Sequence, residues 1–200
     1  MLRLCARHLG GAKSASHVYE LRTYVVAPEK YDSFHQLSMK YMPQRPRIGI
    51  CQGCWTVQLG GVNQYIQIWR YENLKHRYDC RKQLEQDHEW LRTYVKPADD
   101  MMISKSNTLL RLVYREGNAS TQSYKYLMQV SPHKEVELSG PSAILAATFQ
   151  VIVGEEEGKY IHLVKGHKLD DVIPVTPTLG CSSKIMGPVR WSSTMNCLWR

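Results

Sequence analysis

The sequence predicts an α+β fold: one complete ferredoxin-like βαββαβ unit followed by a second, helix-poor copy of the same plan. Three observations carry this expectation. A strand, glycine turn, strand run occurs twice, at residues 55–74 and 149–165. Trp55 matches Phe149, Gly60 matches Gly154, and Tyr65-Ile66 matches Tyr160-Ile161 after one extra turn residue. Internal similarity of this kind decides architecture before any motif does. Around the first copy, period-two and helical patterns follow in the order β-α-β-β-α-β. Around the second, the strand patterns persist while the helical ones are broken by proline and glycine.

Residues 17–26 alternate and are rich in β formers, which predicts the first strand. Pro28-Glu29-Lys30 is a break. Tyr31, Phe34, Leu37, Ser38 and Tyr41 then recur at helical spacing, and Pro43 and Pro46 end that helix. Strands over 53–59 and 64–69 flank Gly60-Gly61-Val62-Asn63, whose Gly and Asn tolerate positive φ, so the pair is an antiparallel hairpin. Leu74, Tyr78, Arg81, Leu84 and Glu85 keep a helical period. A further helical piece over 89–95 is capped by Asp87 and ended by Pro97. The fourth strand is expected at 107–112. The small, polar run 115–123 reads as a linker. Residues 124–132 echo the first strand, 133–146 are interrupted by Gly140-Pro141, and 169–182 hold Pro174, Pro177 and Gly180 where the first unit has two helical pieces. Residues 183–186 supply the last strand. The expected organisation is a leader at 1–17, a first unit at 18–114, a linker at 115–123 and an incomplete second unit at 124–200.

Alternation suggests the faces. Leu21, Trp55, Val57, Ile66 and Ile68 form an aliphatic side, assigned here to the helices. Glu20, Arg22, Tyr24, Thr56, Gln58, Tyr65, Gln67 and Trp69 form the other side, too aromatic to stay bare. It suits a second sheet laid against it, with a pocket between the two.

The formal charge of +8 includes Arg3, Arg7 and Lys13, which all precede the first acid, Glu20. What remains is a mild excess without a basic run of nucleic-acid type. The acid-free leader, with Leu2, Leu4 and Leu9 among Arg3, Arg7 and His8, has the composition of a mitochondrial transit peptide, with removal expected near residues 14–18. No apolar stretch is long enough to span a membrane. Cys51-Gln52-Gly53-Cys54 has C-x-x-C spacing, but it precedes a strand and lacks the second pair that zinc wants, so it reads as structural. The histidines show no metal-ligand spacing. Glu20 and Arg22 read as a structural ion pair, and Glu155-Glu156-Glu157 as a solvated turn. No catalytic residue, metal site or cofactor is expected.

Tyr19-Glu20-Leu21-Arg22-Thr23-Tyr24, Trp55-Thr56, Gly60-Gly61-Val62-Asn63-Gln64 and Trp69 resemble the NIPSNAP family. The likeness runs from about Val18 to Leu112 and includes the segment around Trp90. The second half resembles the family's second repeat at 149–165 and 183–191. The resemblance implies a dimeric α+β barrel, here a homodimer or pseudo-dimer, and residence in the mitochondrial matrix, with exposure on the outer surface of damaged mitochondria. It implies a non-enzymatic role in vesicular traffic or mitochondrial quality control, through autophagy receptors or ubiquitin-like autophagy modifiers as protein partners. Tyr71-Glu72-Asn73-Leu74 has the aromatic-x-x-aliphatic form of a docking motif for such a modifier, with Tyr71 and Leu74 as its anchors. Packing is the simpler use of both. The alternative is a small-ligand-binding or monooxygenase-like α+β barrel enzyme. Arg22, Tyr24, Gln67 and Trp69 would then line the barrel pocket, with Arg22 anchoring an anion and the aromatics stacking on a planar ligand. A filled inter-sheet space favours the interaction role; a roomy one favours ligand chemistry.

Overall fold

The computed structural model describes residues 17–45, 48–117, 124–138, 140, 142–173 and 179–189. Residues 1–16 of the expected leader and 118–123 of the expected linker lie outside them. Eight strands close into one antiparallel barrel. The first unit contributes β1 (Val18–Val26), β2 (Ile50–Leu59), β3 (Gln64–Tyr71) and β4 (Met102–Arg115). Its helices are α1 (Tyr31–Tyr41), α2 (Leu74–Gln86), α3 (His88–Trp90) and α4 (Lys96–Asp99). The second unit contributes β5 (Lys125–Ser131), β6 (Ile144–Val153), β7 (Tyr160–Gly166), the four-residue α5 (Leu169–Val172) and β8 (Ser182–Pro188). No helix among the described residues is long and apolar enough to cross a membrane.

Each unit has the same internal strand order, β4-β1-β3-β2 and β8-β5-β7-β6. The edges then pair crosswise: β2 with β8, and β4 with β6. Closure leaves neither sheet an open edge. Matching positions obey the same exchange. Tyr19 of β1 packs on Phe149 of β6 at 5.3 Å between ring centroids, and Trp55 of β2 packs on Tyr126 of β5 at 5.6 Å. Tyr19 and Tyr126 are counterparts in the two units, as are Trp55 and Phe149. The duplicated hairpin therefore supplies the aromatic pairs that join the two sheets. The chain is its own pseudo-dimer: one face of the first sheet is covered by the chain's own β5–β8.

The two faces are reversed from the expectation. The barrel interior is the aliphatic side, with Leu21, Trp55, Val57, Ile66, Ile68, Leu110, Phe149, Leu163 and Met186 in one buried cluster. The aromatic and polar side lies under the helices, where Phe34, Tyr65, Trp69, Tyr71, Trp90 and Tyr94 form a second cluster. The reason lies in the helices. Helix α2 buries only Cys80, and α1 only Phe34 and Ser38. Such polar helices cannot cover an aliphatic sheet, so the sheet brings its own large rings to meet them.

Pro97 does not end the third helical piece. Lys96 N–H donates to Leu91 O, five residues back, so residues Leu91–Val95 form a wide π turn and the helix resumes as α4. Pro97 then falls in the first turn of α4, where its missing N–H is not needed. Among the described residues of the second unit no comparable layer forms. Leu127, Val164, Val172 and Ile185 make a small cluster under α5, with Ala143 and Leu145 against it. His162 is fully buried there; its Nε2–H donates to His133 O, so its Nδ1 accepts from Thr148 Oγ1, both at 3.0 Å.

Candidate functional site

Outward-facing positions of β1 and β3 meet in register, with Glu20 opposite Trp69 and Arg22 opposite Gln67. Glu20 is 1% exposed and is the centre of a guanidinium cluster. Arg22 Nη2 donates to its Oε2 at 3.0 Å, Arg77 Nη2 to its Oε1 at 2.9 Å, and Arg81 Nη1 stands 3.6 Å away. Tyr71 O–H donates to Glu20 Oε2 at 3.2 Å and accepts from Arg22 Nη2 at 3.0 Å. Burial alone would raise the Glu20 pKa, but Arg22 and Arg77 outweigh it and hold it at about 2. The ion pair read from the sequence is thus one carboxylate shared by several guanidiniums.

Beside this cluster, Trp69 is fixed by its indole N–H, which donates to Gln67 Oε1 at 2.9 Å. The guanidinium of Arg45 lies 3.9 Å from its ring centroid and that of Arg22 lies 5.3 Å away. Arg45 is 9% exposed and follows the turn Met42–Gln44. Its Nη1 donates to Ile48 O at 3.1 Å, while its Nη2 is buried without a hydrogen-bond partner. Burial, then repulsion from Arg22, lowers its pKa.

A cavity of about 380 Å³ opens between this sheet face and the helices. Arg22, Tyr24, Gln67, Trp69 and Asn107 form its floor, and Met42 and Arg45 one wall. Leu84, Trp90, Leu91, Tyr94 and Ala98 form its roof, with Trp90 stacked on Tyr94 at 4.6 Å. Asp87 caps the turn that carries Trp90, accepting from its backbone N–H at 2.9 Å. Arg81, Glu85, Asp99 and Lys105 ring the mouth. Both acids there are paired, Asp99 with Lys105 at 2.8 Å and Glu85 with Lys82 at 3.1 Å.

Arg22, Tyr24, Gln67 and Trp69 therefore share one cavity, but its place differs from the expectation. It lies between sheet and helices, not between the two sheets, because the face that carries these residues turns outward. Arg45, Trp90 and Tyr94 complete it. Arg45 sits in a proline-rich stretch without periodicity, and no pattern marks it. The spacing of Trp90 and Tyr94, four residues apart on a helical segment, was the available signal for the roof.

The Tyr71–Leu74 docking motif is not supported by the structure. Tyr71 is 1% exposed, its ring packs in the cluster beneath the helices, and its strand is paired on both sides. A peptide-binding partner cannot reach that ring. Leu74 is exposed at the start of α2.

Cys51 and Cys54 are not joined in a disulfide, and no group of three or more His, Cys, Asp or Glu among the described residues could hold a metal ion. Burial pushes the Cys51 thiol up to about 11 and the Cys54 thiol well above its ordinary value. Alkylation of the native protein with iodoacetamide at pH 7.5, followed by peptide mapping, is expected to label Cys181 well before either. Equal labelling of Cys54 and Cys181 would contradict this burial.

The second unit keeps the geometry without the chemistry. Gln129 stands opposite His162 in the register that Arg22 and Gln67 occupy, and Leu127 opposite Val164 where the first unit has Glu20 and Trp69. Charges and rings are concentrated on one sheet of the two.

Residues 19–114 match the NIPSNAP family model. The chain is 35% identical to protein NipSnap homolog 3B of Mus musculus over 89 residues, which is 44% of this chain and 36% of that protein. It is 31% identical to protein NipSnap homolog 3A of Homo sapiens over 113 residues, 56% of this chain and 46% of that protein. The chain thus spans less than half the length of these curated relatives. Across both units, its fold resembles a crystal structure titled "Putative monooxygenase" from Fusobacterium nucleatum, with a TM-score of 0.56 at 7% identity over 88% of this chain and 93% of that one. At that identity the likeness is one of fold alone.

Proposed function

We propose, from the premise that residues 19–114 are a NIPSNAP-family unit, that this chain acts as a non-catalytic mitochondrial interaction protein in quality control or vesicular traffic. One observation carries the non-catalytic part. The space between the two sheets, where an α+β barrel could host chemistry, is filled: Trp55, Ile66, Phe149 and Met186 are each fully buried in it. Cys54 points the same way, since its fully buried thiol has no access to a substrate. The basic, acid-free leader supports mitochondrial residence. Autophagy receptors or ubiquitin-like autophagy modifiers are the proposed protein partners, engaged through a surface other than Tyr71–Leu74.

Two measurements test this reading. A fluorescent reporter fused to residues 1–18 is expected in mitochondria; a cytosolic reporter removes the localisation. Affinity capture of the full chain from intact and depolarised mitochondria is expected to enrich autophagy receptors only after depolarisation. Equal recovery in both states, or none in either, contradicts the quality-control role.

A further inference from the structure

We propose that the cavity under the helices binds a small organic carboxylate with an apolar body, its carboxylate held by Arg45 and Arg22. The inference stands apart from the choice of protein partner. It rests on a charge imbalance, on open donors and on the walls.

The charge imbalance is local. Among the described residues, Glu20 is the one carboxylate that answers Arg22, Arg77 and Arg81. Arg45, whose guanidinium lies over the same Trp69 ring as that of Arg22 and lines the same cavity, forms no ion pair with a carboxylate among the described residues. A buried guanidinium without a counter-charge costs free energy that an anion would recover.

The donors are specific. Arg45 Nη2 and Arg22 Nε are both buried and make no hydrogen bond. Buried donors of this kind are uncommon in folded proteins and call for an explanation. Holding Ile48 O accounts for Arg45 Nη1 only. The stack on Trp69 orders the guanidinium before any ligand arrives, so little further ordering is needed on binding. A carboxylate suits such a site because two coplanar oxygens match the planar fork of arginine.

The walls define the rest of the ligand. Beyond the guanidiniums the cavity presents Trp69, Leu84, Trp90 and Tyr94, which fit an apolar or aromatic body. About 380 Å³ lies at the small end of ligand pockets. Among the described residues of the lining, both carboxylates, Glu85 and Asp99, already face Lys82 and Lys105, which disfavours a cation. The second unit has Leu127, Gln129, His162 and Val164 in the matching places, so one site per chain is expected.

Calorimetric titration of the full chain with 2-naphthoate, octanoate, the neutral 2-naphthamide and inorganic phosphate tests this. At least one of the two carboxylates is expected to bind at one site, on the order of 10-fold or more tighter than the amide. The better of the two tells an aromatic from an alkyl ligand. Arg45→Met is expected to weaken carboxylate binding by about 10- to 100-fold while the exposed control Lys75→Met leaves it unchanged. The carboxylate-to-amide ratio on the unaltered protein decides the matter even if Arg45→Met unfolds. Equal binding of amide and carboxylate, preference for phosphate, no binding of either carboxylate, or unchanged affinity in a folded Arg45→Met protein would each overturn the proposal.

Discussion

Glu20→Gln is expected to destabilise the protein by about 3–5 kcal/mol, the range for breaking a buried ion pair by removing one partner. Glu20 is 1% exposed and its two oxygens receive Arg22, Arg77 and Tyr71. Glutamine cannot carry the charge those guanidiniums require. It would leave Arg22, Arg77 and Arg81 gathered around a neutral side chain. The same residue sets an acid limb of stability. Its folded pKa, about 2, lies below the ordinary glutamate value of 4.5. The unfolded chain therefore binds the proton first as pH falls. The contribution is complete above about pH 4.5 and is lost as pH drops through the folded pKa; it amounts to about 3 kcal/mol. Urea unfolding at a series of pH values should show this loss between pH 5 and 2 in the unaltered protein and a flatter profile in Glu20→Gln. Equal stability at pH 7 and parallel acid limbs would show that the cluster does not hold the fold.

Phe149→Ala is expected to cost about as much as Trp55→Ala, roughly 3–5 kcal/mol each. Both rings are fully buried inside the barrel, and they hold counterpart positions in the two units. Trp55 reaches across to Tyr126 and Phe149 reaches across to Tyr19. Each truncation empties part of the contact between the sheets and leaves a cavity that a closed barrel cannot collapse. Denaturant titration of the two variants measures it. A Phe149→Ala protein within about 1 kcal/mol of the unaltered one, beside a crippled Trp55→Ala, would mean that the second unit is an appendage and not half of the core.

The strand plan was readable because alternation and glycine turns are local signals. The match of Trp55 to Phe149 and of Gly60 to Gly154 placed the two hairpins, and the structure pairs both as expected. The faces were not readable for a physical reason. A sheet buried on both sides lacks the solvent face that gives period two its meaning. Ile66 and Ile68 look like the side that meets helices, yet only the barrel interior is dry on every side. Tyr65, Gln67 and Trp69 look like the side that meets a sheet, yet α1 buries only Phe34 and Ser38 and α2 only Cys80, so the sheet's own rings fill most of that layer. The floor of the cavity could still be named, since Arg22, Tyr24, Gln67 and Trp69 share a strand side whichever way it turns. Arg45 could not, because its position depends on the turn at Met42–Gln44 and on a stack against a residue 24 positions later in the sequence. Tyr71 is consumed by packing, the simpler use that its place at the end of a core strand suggested, whereas Leu74 stays exposed.

The account stands on the claim that one chain closes its own barrel. The seam between β4 and β6 offers the most direct test, since Arg111 and Gln150 face each other across it in register. A protein carrying Arg111→Cys and Gln150→Cys should form a disulfide at high dilution and run as a monomer on a non-reducing gel, with the new link located by peptide mapping. A crosslinked dimer joined through Cys at position 111 of one copy and position 150 of another would contradict the closed single-chain barrel.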